Sequence, residues 1–450
     1  MTPTGSGPRR VRPETNARKG EAMSEMTRRS RRKPTVTPIA RHGKLRRSSV
    51  TLAILKIVGL VTAVAVVSVG SIAGIAAWDL SHQIKTVEIS EEIAGPIPEI
   101  GPYSGGFNML LIGSDSRANS AYSYGEDPES ELNDVNILLH VSADHTNAVA
   151  ISFPRDMYVP IPECSDGDGG TNGPASSQKI NTALMYGGGM AKDGLSCAVA
   201  TVSELTGLSI PFAATITFDG VIEMSNAIGG VPVCVASPIE DEHTELYLDA
   251  GTHNLQGVDA LKFLRTRYGV GDGSDVTRIS SQQVFLSALV RQVKSSDTLG
   301  DVGKLYGLAG AAVRNMVFTS SLNNIDTLVQ IARALQPIDL SKIAFVQYPT
   351  YPVDGGLEPN YDSAQVLIDA INADQAVTVQ APPEDSRGSV ADPNAVAPVD
   401  PNAVDPATVD PADPNATTPP ADTSVVLPDD VLGQVAAESR CTVGRTLDDQ

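Results

Sequence analysis

Asn-Met-Leu-Leu-Ile-Gly-Ser-Asp-Ser-Arg, residues 108–117, is an apolar run that ends in an acidic and a basic side chain. Residues 152–156, Ser-Phe-Pro-Arg-Asp, end a second apolar run in the same way. Continuous apolar runs are typical of strands that are covered on both faces of a sheet. At a strand end, carboxylates can hold a divalent cation and arginines can bind phosphate oxygens. The two motifs therefore predict a phosphate site at one edge of a sheet.

The region around these motifs alternates between strand and helix patterns. Apolar runs predict strands at residues 109–112, 135–141, 149–153, 215–218, 231–235 and 343–348. Stretches with helical periodicity lie between them, among them residues 197–205, 257–265, 276–293 and 363–371. This interleaving predicts an α/β fold, a three-layer α/β/α domain around a central mixed sheet.

The N-terminal part predicts a single membrane-spanning segment. Residues 1–49 contain 14 Lys and Arg against 3 Glu, with almost no apolar periodicity, which predicts a disordered basic arm. Residues 57–78 carry no charge and are long enough to cross a bilayer, so we expect one transmembrane helix within residues 50–78. The positive-inside rule places the arm in the cytoplasm and the rest of the chain outside the cell membrane. A cleaved signal peptide is the alternative, disfavoured by the long basic lead.

Composition divides the rest of the chain into four parts. Residues 79–105 are a juxtamembrane connector, and residues 106–380 form the predicted extracytoplasmic domain. Residues 381–424 are rich in Asp, Pro and Ala and lack the side chains for a core, which predicts a disordered linker. Residues 425–450 are a short C-terminal segment. The acidic excess after the basic arm disfavours nucleic acid as a partner.

The four cysteines, Cys164, Cys197, Cys234 and Cys441, all lie in the part predicted to be outside the membrane. An even number in an oxidising compartment favours disulfides, and the lack of a Cys-x-x-Cys spacing disfavours zinc. The sequence does not determine the pairing. We prefer Cys164 with Cys197, which would close a loop rich in Gly and Ser onto the next helix. We expect Cys441 to pin the C-terminal segment to the domain.

Further motifs accompany the first two. In chain order they lie at residues 133–134, 179–181, 204–207, 229–233 and 257–278. The whole set resembles the LytR-CpsA-Psr family over residues 106–295. The resemblance implies a membrane-anchored phosphotransferase, which moves a glycopolymer phosphate from a polyprenyl-pyrophosphate-linked donor to a sugar hydroxyl of peptidoglycan. It also implies Mg²⁺, or Mn²⁺, as the cofactor.

Two aspartates, Asp115 and Asp134, are assigned to the metal by this resemblance. Two hard oxygen donors would leave room for water and phosphate oxygens around the cation. The alternative is that Asp115 only caps a turn and that Asp134 only starts a strand.

Basic side chains are expected to clamp the pyrophosphate, because a planar guanidinium matches phosphate oxygens. The residues expected to act in catalysis are Arg155, Arg265, Arg267 and Arg278. The residues expected to bind substrate are Arg117, Lys179 and Asp156. Ordinary surface ion pairs are the alternative for the arginines, and a solvated loop lysine is the alternative for Lys179. Because Arg265 and Arg267 are two apart near a helix end, we expect only one of them to enter the site fully.

Two positions depart from the family pattern, which usually has arginines where this chain has Leu132 and Ser281. The loss of two cations would weaken the stabilisation of a charged transition state. The departure supports an alternative function, a catalytically weakened cell-envelope protein that binds or scaffolds the polyprenyl-pyrophosphate lipid. A third hypothesis is hydrolysis of the donor by water.

Overall fold

The computed structural model describes residues 50–89, 105–117, 120, 122, 131–323, 325–379, 388–395 and 424–450. The predicted cytoplasmic arm lies outside these residues, as does more than half of the predicted connector and of the predicted linker. Helix α1 covers Val50–Gln83. Judged on the described residues, no helix is both long and apolar enough to cross a membrane. The transmembrane helix expected within residues 50–78 stays a prediction.

Short strands form the framework of the domain that follows α1. In chain order, strands β1 to β11 cover Lys85–Val87, Phe107–Ser114, Asn133–Val141, Ala148–Phe153, Tyr158–Ile161, Cys164–Ser165, Thr171–Asn172, Ala175–Lys179, Phe212–Ile216, Val231–Val235 and Ile239–Asp241. Strands β12 to β22 cover Leu246–Leu248, Gly251–Leu255, Met316–Thr319, Ile343–Gln347, Thr350–Val353, Gly356–Pro359, Val377–Thr378, Ser389–Ala391, Val425–Val426, Gly433–Val435 and Arg440–Thr442. The central sheet has the order β1-β14-β9-β2-β3-β4-β15-β21. It is mixed, because β2 is antiparallel to β3 and parallel to β9.

Helices cover both faces of this sheet. In chain order, helices α2 to α10 cover Ala183–Tyr186, Gly194–Thr206, Phe218–Ala227, Val258–Arg265, Asp275–Lys294, Ser296–Leu299, Val302–Asn315, Ile325–Leu335 and Tyr361–Asn372. Within β2, Leu110 and Ile112 lie in one apolar core with α3 and α10. Phe107 and Met109 lie in another core with α9, on the opposite face, because successive side chains of a strand alternate. The predicted α/β fold around a mixed sheet is confirmed, with helices on each face.

Strand register brings the two opening motifs to one edge of the central sheet. β2 ends opposite the start of β3, where Ser114 pairs with Asn133. β4 is antiparallel to β3, so its end lies at the same edge. Asp115, Asp134 and Arg155 consequently extend from three neighbouring strands into one place.

The C-terminal segment is part of the sheets of the domain. β21 is antiparallel to β15 and forms an edge strand of the central sheet. β22 lies between β10 and β19 in a second sheet, whose order is β13-β10-β22-β19. Residues 425–450, expected as a short segment beyond a linker, therefore complete two sheets.

Both expected disulfide connections are confirmed. Cys164 is bonded to Cys197, which ties β6 to α3. Cys234 is bonded to Cys441, which ties β10 to β22 across 207 positions of sequence. A carboxylate oxygen of Asp392 lies within 4.8 Å of both sulfurs of the second disulfide. This group is not a metal site, because sulfurs joined in a disulfide are not thiolate ligands.

Candidate active site

The ion pair between Arg155 and Asp134 lies at the edge of the sheet where the three strands meet. Arg155 Nη1 donates to Asp134 Oδ2 at 2.8 Å, and both side chains are 25% exposed. The backbone N–H of Arg155 donates to Asp275 Oδ2 at 2.9 Å. Burial lowers the pKa of Arg155, but three nearby carboxylates, above all that of Asp134, outweigh this effect and raise the pKa overall. Arg155 is therefore held in its charged form.

Asp275 and Arg278 anchor this pair from the first turn of α6. Ser274 caps the helix, since its side chain accepts from the backbone N–H of Thr277. Arg278 Nη2 lies 2.6 Å from Asp275 Oδ1, and neither side chain is more than 6% exposed. Arg278 Nη2 also donates to the backbone oxygen of Asp134 at 3.0 Å. Burial lowers the pKa of Arg278, and the charge of Asp275 opposes that shift.

Asp156 holds a second pair of cations. Lys179 Nζ lies 2.9 Å from Asp156 Oδ1, and Arg267 Nη1 lies 3.6 Å from Asp156 Oδ2. Burial raises the pKa of Asp156, but the hydrogen bond from Lys179 and the nearby positive charges lower it overall. Lys179 is thus ion-paired, although a third of its side chain is exposed. The charged cluster defined by these contacts consists of Asp134, Arg155, Asp156, Lys179, Arg267, Asp275 and Arg278.

Asp115 lies beside the charged cluster. Its Oδ1 accepts from the backbone N–H of Leu132 at 2.7 Å. Burial is the main cause that raises the pKa of Asp115, and the negative charge of Asp134 raises it further. Two carboxylates that repel each other in a partly buried position suit a divalent cation, which would relieve that repulsion.

Asn181 adds an oxygen atom to the same place. Its Nδ2 donates to Asp134 Oδ1 at 3.4 Å. Its Oδ1 is buried and has no hydrogen-bond partner among the described residues. Carboxylate and amide oxygens are the hard donors that Mg²⁺ and Mn²⁺ prefer. Asp115, Asp134 and Asn181 therefore fit the expected cation.

The two remaining predicted arginines differ in their placement. Arg117 is close enough to Asp115 for its charge to lower the pKa of that carboxyl, against the larger effect of burial. Arg265, the last residue of α5, has its guanidinium 4.6 Å from the centre of the Phe218 ring. The Arg265 side chain lies over Phe218 of α4, whereas that of Arg267 contacts Asp156 of the cluster. The catalytic role expected for Arg265 stays a prediction.

A buried amide that the sequence analysis left without a role holds the Lys179 segment at the sheet edge. Asn133 Nδ2 donates to Asn136 Oδ1 at 2.7 Å and to the backbone oxygen of Ile180 at 3.0 Å. Asn133 Oδ1 accepts from the backbone N–H of Leu184 at 2.9 Å. The sequence feature that could have indicated this role is a polar residue at the start of a long apolar strand, because a buried amide needs hydrogen-bond partners.

Two buried carboxylates were also given no role. Asp241 is fully buried and accepts from Thr266 Oγ1 at 2.6 Å and from the backbone N–H of Arg267 at 3.3 Å. Asp275 had one usable signal, its position three residues before Arg278 at a helix start, where such pairs meet. Both carboxylates fix arginines of the charged cluster.

The two positions that depart from the family pattern have different surroundings. Leu132 lies next to the predicted metal site through its hydrogen bond to Asp115. Ser281 is fully buried in α6, and its Oγ donates to the backbone oxygen of Thr277 at 3.3 Å. An arginine in place of Ser281 would have to displace packed neighbours.

Known proteins are similar to this chain over most of the domain. The LytR_cpsA_psr family matches residues 77–378. Cell wall biosynthesis protein LcpA of Corynebacterium glutamicum is 30% identical over 289 residues, which are 59% of this chain and 54% of that protein. The polyisoprenyl-teichoic acid–peptidoglycan teichoic acid transferase TagT of Bacillus subtilis is 28% identical over 294 residues, which are 61% of this chain and 84% of TagT. The chain thus spans about half the length of LcpA, 54%, and most of TagT, 84%.

Solved structures are similar in fold. A LytR-Csp2A-Psr enzyme from Actinomyces oris has a TM-score of 0.47 at 22% identity, over 64% of this chain and 95% of that one. TagT bound to LIIa-WTA has a TM-score of 0.44 at 21% identity, over 64% of this chain and 98% of that one. These likenesses concern the fold alone.

Proposed function

The chain belongs to the LytR-CpsA-Psr family, and from this premise we propose that it is a membrane-anchored phosphotransferase of cell-wall assembly. It transfers a glycopolymer phosphate from a polyprenyl-pyrophosphate-linked donor to a sugar hydroxyl of peptidoglycan. The names of two relatives support the proposal, because one is a cell wall biosynthesis protein and the other transfers teichoic acid to peptidoglycan.

The convergence of basic side chains at the sheet edge is the observation that carries the proposal. Arg155, Lys179, Arg267 and Arg278 all make ion pairs within the charged cluster. The Nε atoms of Arg155 and Arg278 are buried and have no hydrogen-bond partner among the described residues. Buried donors without partners cost free energy, and an anionic ligand with several oxygens would relieve that cost.

Asp115 and Asp134, with Asn181 beside them, would hold Mg²⁺ or Mn²⁺. When bound, the cation supplies positive charge that neutralises the pyrophosphate and makes its phosphorus more electrophilic. Arg155 and Arg267 bind the phosphate oxygens and stabilise the negative charge of the transition state. The sugar hydroxyl attacks the phosphorus attached to the first sugar of the glycopolymer. A new P–O bond forms, polyprenyl phosphate leaves with the electrons of the broken P–O bond, and the hydroxyl proton passes to a carboxylate of the cluster.

The membrane anchor is proposed for α1. Large apolar side chains are exposed along much of this helix, among them Leu55, Leu60, Val67 and Trp78. An exposed apolar surface of this kind favours a lipid environment. The basic residues 1–49 favour a cytoplasmic N-terminus. The two disulfides agree with a domain outside the membrane, in an oxidising compartment.

The proposal is tested with the purified full-length chain in detergent, a polyprenyl-pyrophosphate-linked glycopolymer and peptidoglycan fragments. We expect Arg155→Ala to lower kcat/KM about a hundredfold, the usual cost of losing one donor that stabilises a transition state. Lys192→Ala is the matched control, because Lys192 pairs with Asp168 in an exposed loop outside the cluster. Transfer at the wild-type rate by Arg155→Ala would refute the assigned site.

A binding or scaffolding role for the donor lipid is the second candidate, favoured by the buried Ser281 where the family has an arginine. It predicts that the donor binds but that no glycopolymer appears on peptidoglycan. Measuring donor binding and product on one preparation separates the two functions. Phosphate released without an acceptor would instead indicate hydrolysis.

A further inference from the structure

The loop between α5 and α6, residues 266–274, carries Arg267 and is called here the arginine loop. Arg267 Nε donates to the backbone oxygen of Gly273 in the same loop at 2.9 Å. The Nη1 atom of the same guanidinium lies 3.6 Å from Asp156 Oδ2. The direction in which Arg267 points therefore depends on where the backbone of the arginine loop lies.

Residues 443–445 of the C-terminal segment pair with the arginine loop. The backbone N–H of Gly271 donates to the oxygen of Val443 at 3.0 Å. The backbone N–H of Arg445 donates to the oxygen of Gly269 at 2.8 Å. Val270 and Gly444 form an antiparallel bridge between these two hydrogen bonds. The loop thus contacts the charged cluster through Arg267 and the end of the chain through its backbone.

The Arg445 side chain lies between the end of the chain and the arginine loop, because its Nε and Nη2 donate to the backbone oxygen of Asp449. Its Nη1 donates to the backbone oxygen of Asp272 at 3.5 Å. The same atom lies 3.0 Å from the place that a Cβ would take at Gly273. Arg445 therefore lies against the residue whose carbonyl holds Arg267.

The C-terminal segment is itself held in place. Cys441 is bonded to Cys234 just before residues 443–445. The backbone oxygen of Gly444 accepts from Ser237 Oγ at 2.9 Å, and the backbone N–H of Glu240 donates to the oxygen of Arg445 at 3.0 Å. A Cβ at Gly444 would collide with the backbone oxygen of Ser237, so only glycine permits this close approach.

We propose that residues 443–445 are a positioning element of the active site, with Arg445 as a positioning residue for Arg267. The inference rests on the proposed phosphotransfer, because it assigns the segment to that site. The segment lies beyond residues 77–378, which are the residues that match the family. This chain therefore supports an arginine of the family site with an element from outside the family region.

Two variants of the full-length chain test the proposal. Gly444→Val forces residues 443–445 away from the backbone of Ser237 and Pro238 and thereby disturbs their pairing with the arginine loop. Arg445→Ala removes only the side chain. Gly173→Ala is the control, because a Cβ at Gly173 meets nothing within 4 Å. The measurements are hydrogen exchange of the Gly271 amide, thermal unfolding, and kcat and KM of transfer.

We expect the Gly271 amide to exchange about tenfold faster in Gly444→Val, because the displacement of residues 443–445 weakens its hydrogen bond to Val443. In both variants kcat/KM should fall about tenfold, the effect of a small misplacement of one catalytic group. The Tm of Arg445→Ala should stay close to that of Gly173→Ala, whereas the backbone clash in Gly444→Val should lower its Tm. Arg445→Lys should recover most of the activity, because the ammonium can still reach the loop backbone.

Wild-type kcat/KM in Arg445→Ala would overturn the proposal. If Gly444→Val does not fold, the comparison of Arg445→Ala with Arg445→Lys decides whether Arg445 positions Arg267. A wild-type chain without transfer activity would refute the phosphotransferase proposal instead. Hydrogen exchange would then still report whether Arg445 fixes the arginine loop.

Discussion

Arg155 donates to the Asp134 carboxylate at 2.8 Å, so the strand end expected to bind phosphate is paired with the strand end expected to hold the cation. A cation at Asp134 and a phosphate at Arg155 would each compete with this ion pair. When both ligands are bound, Asp134 faces the cation and Arg155 faces the phosphate. Each side chain then has a new partner of opposite charge in place of the old one. The pair therefore links cation binding to phosphate binding.

The first prediction concerns binding of Mg²⁺ without any phosphate ligand. Arg155→Ala removes the competing guanidinium, so we expect Mg²⁺ to bind about three- to fivefold more tightly than to the wild type, the effect expected of a partly exposed ion pair. Isothermal titration of the full-length chain with MgCl₂ measures this. Arg314→Ala, which breaks an ion pair with Glu223 outside the cluster, should leave the affinity unchanged. Weaker binding of Mg²⁺ to Arg155→Ala would contradict competition at Asp134.

The second prediction separates two arginines of the same motif. Arg267 pairs with Asp156, whereas Arg265 lies over the Phe218 ring. We expect Arg267→Ala to lower kcat/KM of transfer about a hundredfold, because it removes a cation that contacts the charged cluster. We expect Arg265→Ala to change kcat/KM less than about threefold, because its guanidinium lies over the Phe218 ring and a cation–π contact of this kind contributes about 1 kcal/mol. Equal losses in the two variants would show that Arg265 also acts on the substrate.

The third prediction concerns stability. Asp275 compensates the buried Arg278 guanidinium at 2.6 Å and also accepts from the backbone of Arg155. Asp275→Ala leaves a buried positive charge without its partner, so the free energy of unfolding should fall by about 3 kcal/mol. Urea denaturation followed by circular dichroism measures the change. Asp297→Ala, at an exposed position of α7, should change the free energy of unfolding by less than about 0.5 kcal/mol. If Asp275→Ala also lowers the free energy of unfolding by less than about 0.5 kcal/mol, the buried Arg278 does not depend on Asp275 for its stability.

The sequence predicts which side chains meet at the edge of the central sheet, because local apolar patterns determine where the strands begin and end. Apolar runs define β2, β3 and β4, and antiparallel pairing then brings Asp115, Asp134 and Arg155 together without further information. The cysteine in the last part of the chain likewise predicts the connection to the domain that the disulfide provides. These features depend on residues close in sequence or on a single covalent bond.

Other features depend on partners distant in sequence, and local patterns do not predict them. Asp241 acts on Arg267 from 26 positions away, and only the tertiary structure reveals its hydrogen bonds. β21 and β22 have three residues each, which is too short for an alternating pattern. Their place in the two sheets is set by β15 and β10, so composition alone suggested a separate segment.

The fourth prediction is a pH dependence of stability that originates at Asp241. Burial raises the pKa of this carboxyl, but hydrogen bonds from Thr266 and from three backbone N–H groups lower it overall, below the ordinary value of 3.8. Above pH 3.8 the carboxyl is ionised in both the folded and the unfolded chain, so its full stabilisation is present. As the pH falls below that value, the unfolded chain binds the proton first and the stabilisation is lost.

Asp241→Asn should therefore cost about 2 kcal/mol of unfolding free energy at neutral pH, and this difference from wild type should shrink in acid. Urea denaturation of both proteins over a pH series measures it, and a difference that stays constant down to the lowest pH would show that the Asp241 charge does not stabilise the fold.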